Sequence, residues 1–334
     1  MLIDNLLKQR IFTSFNSNAS EPSLAALCLE LLTQQKTSWQ ELSHGYIAMG
    51  NIRVRELRCS GFSVKLQFNP ARIISTAAPV DKKSINKRPC FLCLENLPDA
   101  QRCIVYRHDF IILCNPYPIF PKHFTVSHIR HIPQSSEGAL PAFLSLAKDF
   151  GPDFNIYYNG PQSGASAPDH MHIQAAPVGV LPIEKEIQDS DKRILMKRGD
   201  GISLLRVKNV GREIIIIEGN NYGAVSTALM NVISALKSVL STPDEPMLNL
   251  LCSYNRNAWQ VVIFPRRKHR PDVYFLPGSE RILISPGLVD MGGVIITPIE
   301  KDFIAIDHEL IQNIYKEISV DPETIQKAIE AVSL

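Results

Sequence analysis

The sequence shows none of the patterns expected of a segment built to leave the cell or enter a membrane. Its start, MLIDNLLKQRIF, lacks the basic stretch, apolar core and small-residue cleavage site of a secretory signal. No apolar run approaches the roughly 20 residues that cross a bilayer. A soluble, cytoplasmic protein with no membrane partner is therefore expected. Cysteine is scarce and odd in number, 7 in 334 residues, which argues against a disulfide framework and for reduced thiols or a metal site. Charge of one sign is also missing: the formal net charge is +2, so nucleic acid is not an expected partner. With 45% hydrophobic and 20% charged residues, the remainder reads as an ordinary globular chain of one large or two fused domains.

What is present is a pattern of periods. Leu24, Leu27, Cys28, Leu31 and Leu32 recur at helical spacing behind Glu21-Pro22, so residues 1–50 read as a helical appendage. From Phe62 the period becomes two, with Phe62, Val64, Leu66 and Phe68 alternating as on a half-buried strand. After a proline-rich and basic connection over 70–89, the pattern predicts a hairpin (103–114, then 123–128), a helix over 136–150, and strands over 154–159 and 170–176. A hairpin over 202–207 and 213–218, a helix over 222–240, and strands over 247–254 and 259–264 repeat that order. The repeat implies an α+β fold of two ββαββ halves with mainly antiparallel sheet, spanning 51–190 and 191–334. Tyr158-Asn159 and Pro177 bracket one copy as Tyr254-Asn255 and Pro265 bracket the other, which places His172 opposite Gln260. The first copy carries extra residues between its Asn and its last strand, and these hold the chemistry.

In NGPQSGASAPDHMHIQ, residues His170, His172 and Gln174 alternate, so a strand turns all of them to one face. An imidazole is a competent nucleophile toward phosphorus, and a flanking Gln amide donates to a phosphate oxygen without supplying an acid or base for water. The preceding Ser163, Gly164, Ala165 and Ser166 offer hydroxyls and unobstructed backbone N–H groups for an anion. Asp169 or the backbone carbonyl of the nucleophile's own strand is placed to fix the reactive tautomer. HxHxQ alone also fits a half-buried polar face, but a small-residue loop leading directly into it favours the phosphate reading. Separately, Cys90 and Cys93 have the C-x2-C spacing that lets both thiolates reach one Zn²⁺.

These residues resemble the transferase branch of the histidine-triad superfamily, which comprises hexose-1-phosphate uridylyltransferases and the dinucleoside polyphosphate and GDP-hexose phosphorylases. The resemblance covers roughly residues 60 to 310 and is strongest around His172. It implies that His172 becomes nucleotidylated, that Gln174 holds the intermediate, and that Asn159, Ser163 and Ser166 contact phosphate. His108 to Pro133 is similar to the branch's hairpin in which an Asn-Pro-x-Pro segment approaches the nucleotide, making Asn115 and Lys122 candidates. The zinc-containing uridylyltransferases imply His131 and His170 as the other two ligands beside Cys90 and Cys93, in a structural site. Similarity of the carboxyl-terminal half to the phosphorylases gives Arg267 and Lys268, within Arg266-Arg267-Lys268-His269-Arg270, a substrate or acceptor role; as composition, that run equally suits a solvated loop. The implied activity is phosphorolysis of a dinucleoside polyphosphate, with a GDP-hexose phosphorylase or hexose-1-phosphate uridylyltransferase as alternatives, and a nucleotide-sensing module as the non-enzyme alternative. The implied partners are a nucleotide-containing small molecule and orthophosphate or a sugar phosphate, with a homodimer as the candidate assembly.

Overall fold

The computed structural model describes residues 2–18, 22–77, 82–85 and 87–334. In chain order its strands are β1 (Ile11–Phe15), β2 (Arg53–Arg58), β3 (Ser63–Phe68), β4 (Cys103–Tyr106), β5 (Phe110–Cys114), β6 (Phe124–His128), β7 (Phe154–Asn159), β8 (His172–Pro177), β9 (Arg193–Gly199), β10 (Ile202–Val207), β11 (Ile215–Gly219), β12 (Leu248–Asn255), β13 (Ala258–Pro265) and β14 (Val294–Thr297). Eleven of them form one sheet in the order β1-β4-β5-β6-β8-β7-β12-β13-β11-β10-β9. Every pairing in it is antiparallel except β1 with β4. The order is mirrored about the β7–β12 contact, so the duplicated unit legible in the sequence is present, with three strands rather than two before each helix.

Register corrects one equivalence. Phe154 faces Pro177 and Leu248 faces Pro265, so Asn159 corresponds to Ser253 and not to Asn255, while His172 still corresponds to Gln260. The amino-terminal segment is also more than a helical appendage. Helices Leu24–Ser38 and Gln40–Ala48 form as the spacing predicts, but Ile11–Phe15 pairs with β4 and joins the sheet. Ser23 caps the first of these helices by accepting from the Ala26 N–H, whereas Glu21 lies outside the described residues.

Each half packs one helix on the same face of the sheet: Ser136–Phe150 in the first, Tyr222–Val239 in the second. Met171, Ile173 and Ala175 point into that core beside Phe143 and Leu144, and all of them are buried. The alternate residues of β8 therefore face the other side, where a second core gathers Ala176, Val262, Phe264, Ile314 and Tyr315. On that side β3 runs between β2 and β14, a small sheet that ties the chain before β4 to the chain after β13. No described helix is long and apolar enough to cross a membrane.

Candidate active site and metal cluster

The strand that carries HMHIQ begins at His172, two residues later than the pattern predicts. His170 sits in the turn before it, its N–H donating to the Ala167 carbonyl, and Met171 is held by Ile132 and His128 backbone groups. Alternation nonetheless keeps His170, His172 and Gln174 off the apolar face. The His172 imidazole is within 2.8 Å of the His170 carbonyl through Nδ1. A carbonyl only accepts, so Nδ1 carries the proton and Nε2 carries the lone pair. Burial lowers the His172 pKa, so the ring is neutral near pH 7. Of the two groups that the sequence left open as tautomer setters, a backbone carbonyl makes this contact and Asp169 does not, although the carbonyl belongs to the turn just before the strand.

Gln174 is oriented by a residue that sequence reading missed. His123 Nδ1 accepts from the Ile119 N–H at 3.3 Å, which leaves Nε2 to donate to Gln174 Oε1 at 3.0 Å. With its oxygen engaged there, the Gln174 amide presents its NH₂ group to the cleft. Burial holds His123 neutral, with its pKa lowered to about 4; Arg72 lowers it further and Gln174 acts the other way. No local sequence signal marks His123; it lies two residues before Thr125, the partner of Gln174 across β6 and β8.

The cleft itself, about 80 Å³, is lined by Gln174, Asn159 and the Gly164–Ser166 loop. Arg72, His269, Arg270 and Ser285 line it as well. Gly164 has φ +93°, and a Cβ there would lie 2.6 Å from the Gly287 Cα, so only glycine permits this loop to pack against 286–287. Asn159 Oδ1 accepts from Asn249 Nδ2 and from the Leu288 N–H, both at 2.7 Å, and the Asn159 amide lies against the cleft. Ser163 is fully buried behind the loop, its carbonyl accepting from Asn249. Asn115 closes its own turn by accepting from the Tyr117 N–H, and Lys122 is exposed; neither lines the cleft, to which their loop contributes Ile119.

The basic run divides. Arg266 is 1% exposed and donates to Asn249, Pro286, Lys268 and His269, which anchors the segment. Beyond it, Arg267 donates to the Glu317 carbonyl and Lys268 pairs with Asp272 and Glu317, and neither lines the cleft. The two assigned residues are thus not the ones brought to the cleft. His269 and Arg270 are, because the chain turns around the buried Arg266. Arg270 Nε donates to Ser285 at 2.9 Å and its guanidinium stacks on Tyr274 at 4.3 Å. Arg72, from the connection before β4, adds to the cationic lining; burial lowers its pKa to about 10, so it stays charged at neutral pH.

Cys90, Cys93, His131 and His170 converge, their ligand atoms all within 4.8 Å of one another. Cys90 Sγ is 3.2 Å from His170 Nδ1, and Cys93 Sγ is 3.2 Å from His131 Nδ1. Tetrahedral zinc with bonds of about 2.3 Å to sulfur and 2.0–2.1 Å to nitrogen has S–N edges of about 3.5 Å, so the quartet fits such an ion. The outer contacts fit as well. His170 Nε2 donates to the His128 carbonyl at 2.8 Å, and Asp169 lies 3.6 Å from His131 Nε2. Burial pushes both thiols up, Cys93 to about 12 with Cys90 as a further cause, and a divalent cation is what would turn them into thiolates.

The fold is shared with solved structures of a yeast enzyme. Superposed on the yeast Ap4A phosphorylase Apa2, the chain gives a TM-score of 0.54 at 15% identity, covering 84% of this chain and 93% of that one. The same yeast enzyme in complex with Ap4A gives 0.52 at 13% identity, over 84% and 97%. In complex with AMP it gives 0.52 at 13%, over 85% and 97%. Residues 186–333 match the family model described as GDPGP1-like, C-terminal domain. Residues 31–177 match one described as a domain of unknown function, DUF4922. No curated protein matches the chain in sequence.

Proposed function

We propose that the chain is a nucleotidyltransferase of the phosphorylase type, working through a nucleotidyl-His172 intermediate. The observation that carries this reading is the His172 Nδ1 contact to the His170 carbonyl at 2.8 Å, which leaves a neutral imidazole with its lone pair on Nε2. Nε2 attacks the α-phosphorus of a nucleotide-containing pyrophosphate; the P–N bond forms as the P–O bond to the leaving phosphate breaks, and the electron pair leaves on that oxygen. An acceptor phosphate oxygen then attacks the same phosphorus, and the P–N bond breaks to restore neutral His172. Gln174, oriented by His123, donates to the non-bridging oxygens in both steps, and the Asn159 amide and Gly164–Ser166 loop add further donors. Arg72 and Arg270 suit the phosphates beyond the bond that breaks.

Orthophosphate is the favoured acceptor, because the cleft that Gln174 lines is small and its lining carries two guanidinium groups. A dinucleoside polyphosphate is the favoured donor, as the superposable yeast enzyme is an Ap4A phosphorylase. The Cys2His2 quartet favours a second reading, a hexose-1-phosphate uridylyltransferase with a sugar phosphate as acceptor. Either way the quartet would hold a structural zinc that clamps the turn leading into β8 and takes no part in the reaction. Cytoplasmic location and a homodimer belong to the same reading. The test is intact-mass spectrometry after brief exposure to Ap4A without acceptor, followed by chase with orthophosphate or a sugar phosphate. One acid-labile nucleotidyl adduct, absent from His172→Gly, supports the mechanism, and the acceptor that discharges it decides between the two readings. An adduct that persists in His172→Gly overturns it.

A further inference from the structure

The two halves differ in how their last strands meet. The β12–β13 hairpin is laddered to its tip, with Asn255 facing Ala258. In the first half β7 and β8 pair only from Phe154–Pro177 to Tyr157–Gln174, because the strands splay to admit residues 160–171. Continued by two residues, that register would set Asn159 against His172. The splay instead deprives the His172 N–H and carbonyl and the Asn159 carbonyl of each other as partners, with His172 itself buried. Such groups are costly to leave unpaired.

One side chain occupies the gap. Gln134 Oε1 accepts from the His172 N–H at 2.8 Å. Its Nε2 donates to the His172 carbonyl at 3.0 Å and to the Asn159 carbonyl at 2.9 Å. Gln134 is 4% exposed, and its own N–H donates to the Pro168 carbonyl at 3.1 Å. A primary amide offers two N–H groups and a carbonyl, so it reproduces both faces of a strand residue. No other uncharged side chain except Asn does this, and Asn is one methylene shorter.

We propose that Gln134 is a positioning residue for the reaction at His172: it stands in for the missing strand partner and fixes the backbone that carries the imidazole. The inference rests on the reading of His172 as nucleophile. The same amide sets the end of β7 from which Asn159 reaches the cleft, so Gln134 holds the attacking ring and a phosphate donor in one frame. Displacement of a reacting group by about 1 Å costs on the order of a hundredfold in rate. Ground-state binding at the Arg72 and Arg270 wall does not pass through Gln134.

The experiment measures adduct formation from Ap4A by rapid quench in a single turnover, with the donor Kd measured in parallel. Gln134→Leu, which keeps bulk and removes all three hydrogen bonds, should slow formation about a hundredfold while changing Kd less than about threefold. Gln134→Glu keeps the acceptor for the His172 N–H and should lie between, and it carries the comparison if the leucine variant does not fold. Gln101→Leu is the control: this other buried glutamine donates to the Cys114 carbonyl, and its loss should cost stability but leave the rate per folded molecule unchanged. Wild-type adduct formation with an equal rate in Gln134→Leu, or a loss that only tracks the unfolded fraction as in the control, overturns the inference alone. No adduct in the wild type overturns the His172 reading and this inference with it.

Discussion

His123 Nε2 donates to Gln174 Oε1 at 3.0 Å, a diagonal contact between neighbouring strands that decides which end of the Gln174 amide faces the cleft. His123→Phe fills the same space without the donor, and the amide is then free to turn its oxygen toward phosphate. Steady-state kinetics should show kcat lower by about tenfold, while Gln174→Ala, which removes the donor outright, should cost about 10²–10³. Equal kcat in His123→Phe and wild type would break the link.

The same residue gives a pH dependence. His123 is neutral in the fold with a pKa of about 4 against an ordinary value of 6.5, so the unfolded chain takes up the proton first as pH falls. Its contribution to stability is intact above pH 6.5 and is lost between there and about 4, on the order of 3 kcal/mol in full. His269, also lowered to about 4, acts in the same direction. Asp290, raised to about 6 by burial, acts in the opposite one, because the folded state protonates first. Urea unfolding at pH 7 and pH 5 should show a smaller loss for His123→Phe than for wild type; identical losses would refute the assignment.

The divided basic run separates two expectations. Arg72→Ala and Arg270→Ala each remove a charged donor from the cleft wall, and the KM for orthophosphate should rise about tenfold or more. Arg267→Ala and Lys268→Ala, whose partners are Glu317 and Asp272, should leave it within about twofold. Because Arg72 also donates to the Tyr117 carbonyl, thermal melts accompany the kinetics. The reverse ranking would return the acceptor site to the residues after Arg266.

Protein purified without chelator should contain about one zinc per chain. Cys90→Ser should lower Tm by more than about 5 °C, and it should remain able to form the His172 adduct at low temperature. Full stability of a metal-free wild type would remove the structural zinc.

Gly164→Ala places a Cβ at φ +93° and 2.6 Å from the Gly287 Cα. The cost should be about 2 kcal/mol or more, and activity should fall with the displaced loop. A variant of unchanged Tm and rate would mean that the 163–166 loop has another conformation in solution.

Local pattern was enough for several of these features, for identifiable reasons. The 3.6-residue recurrence of Leu24, Leu27, Cys28 and Leu31 and the two-residue alternation around His172 are consequences of backbone geometry, so the helix and the two faces of β8 were legible. C-x2-C is itself a geometric statement, since residues in one tight turn meet without help from the rest of the chain. The repeat of strands about a single helix announced the duplication.

Contacts between segments distant in sequence came from the tertiary structure alone. His123 meets Gln174 because β6 lies against β8, and Gln134 meets His172 because the β7–β8 ladder opens; neither contact has a local signature. Within the run after Pro265, the charges are alike and composition ranks none of them. Burial of Arg266 against Asn249 and Pro286 turned the chain, sending Arg270 to the cleft and Arg267 to Glu317. Ile11–Phe15 gained a strand partner only because β4 offered it an unpaired edge. A sequence states which faces and turns each segment prefers, whereas which side chain completes another's hydrogen bonds depends on packing among all of them, and here that packing chose the orientation of Gln174.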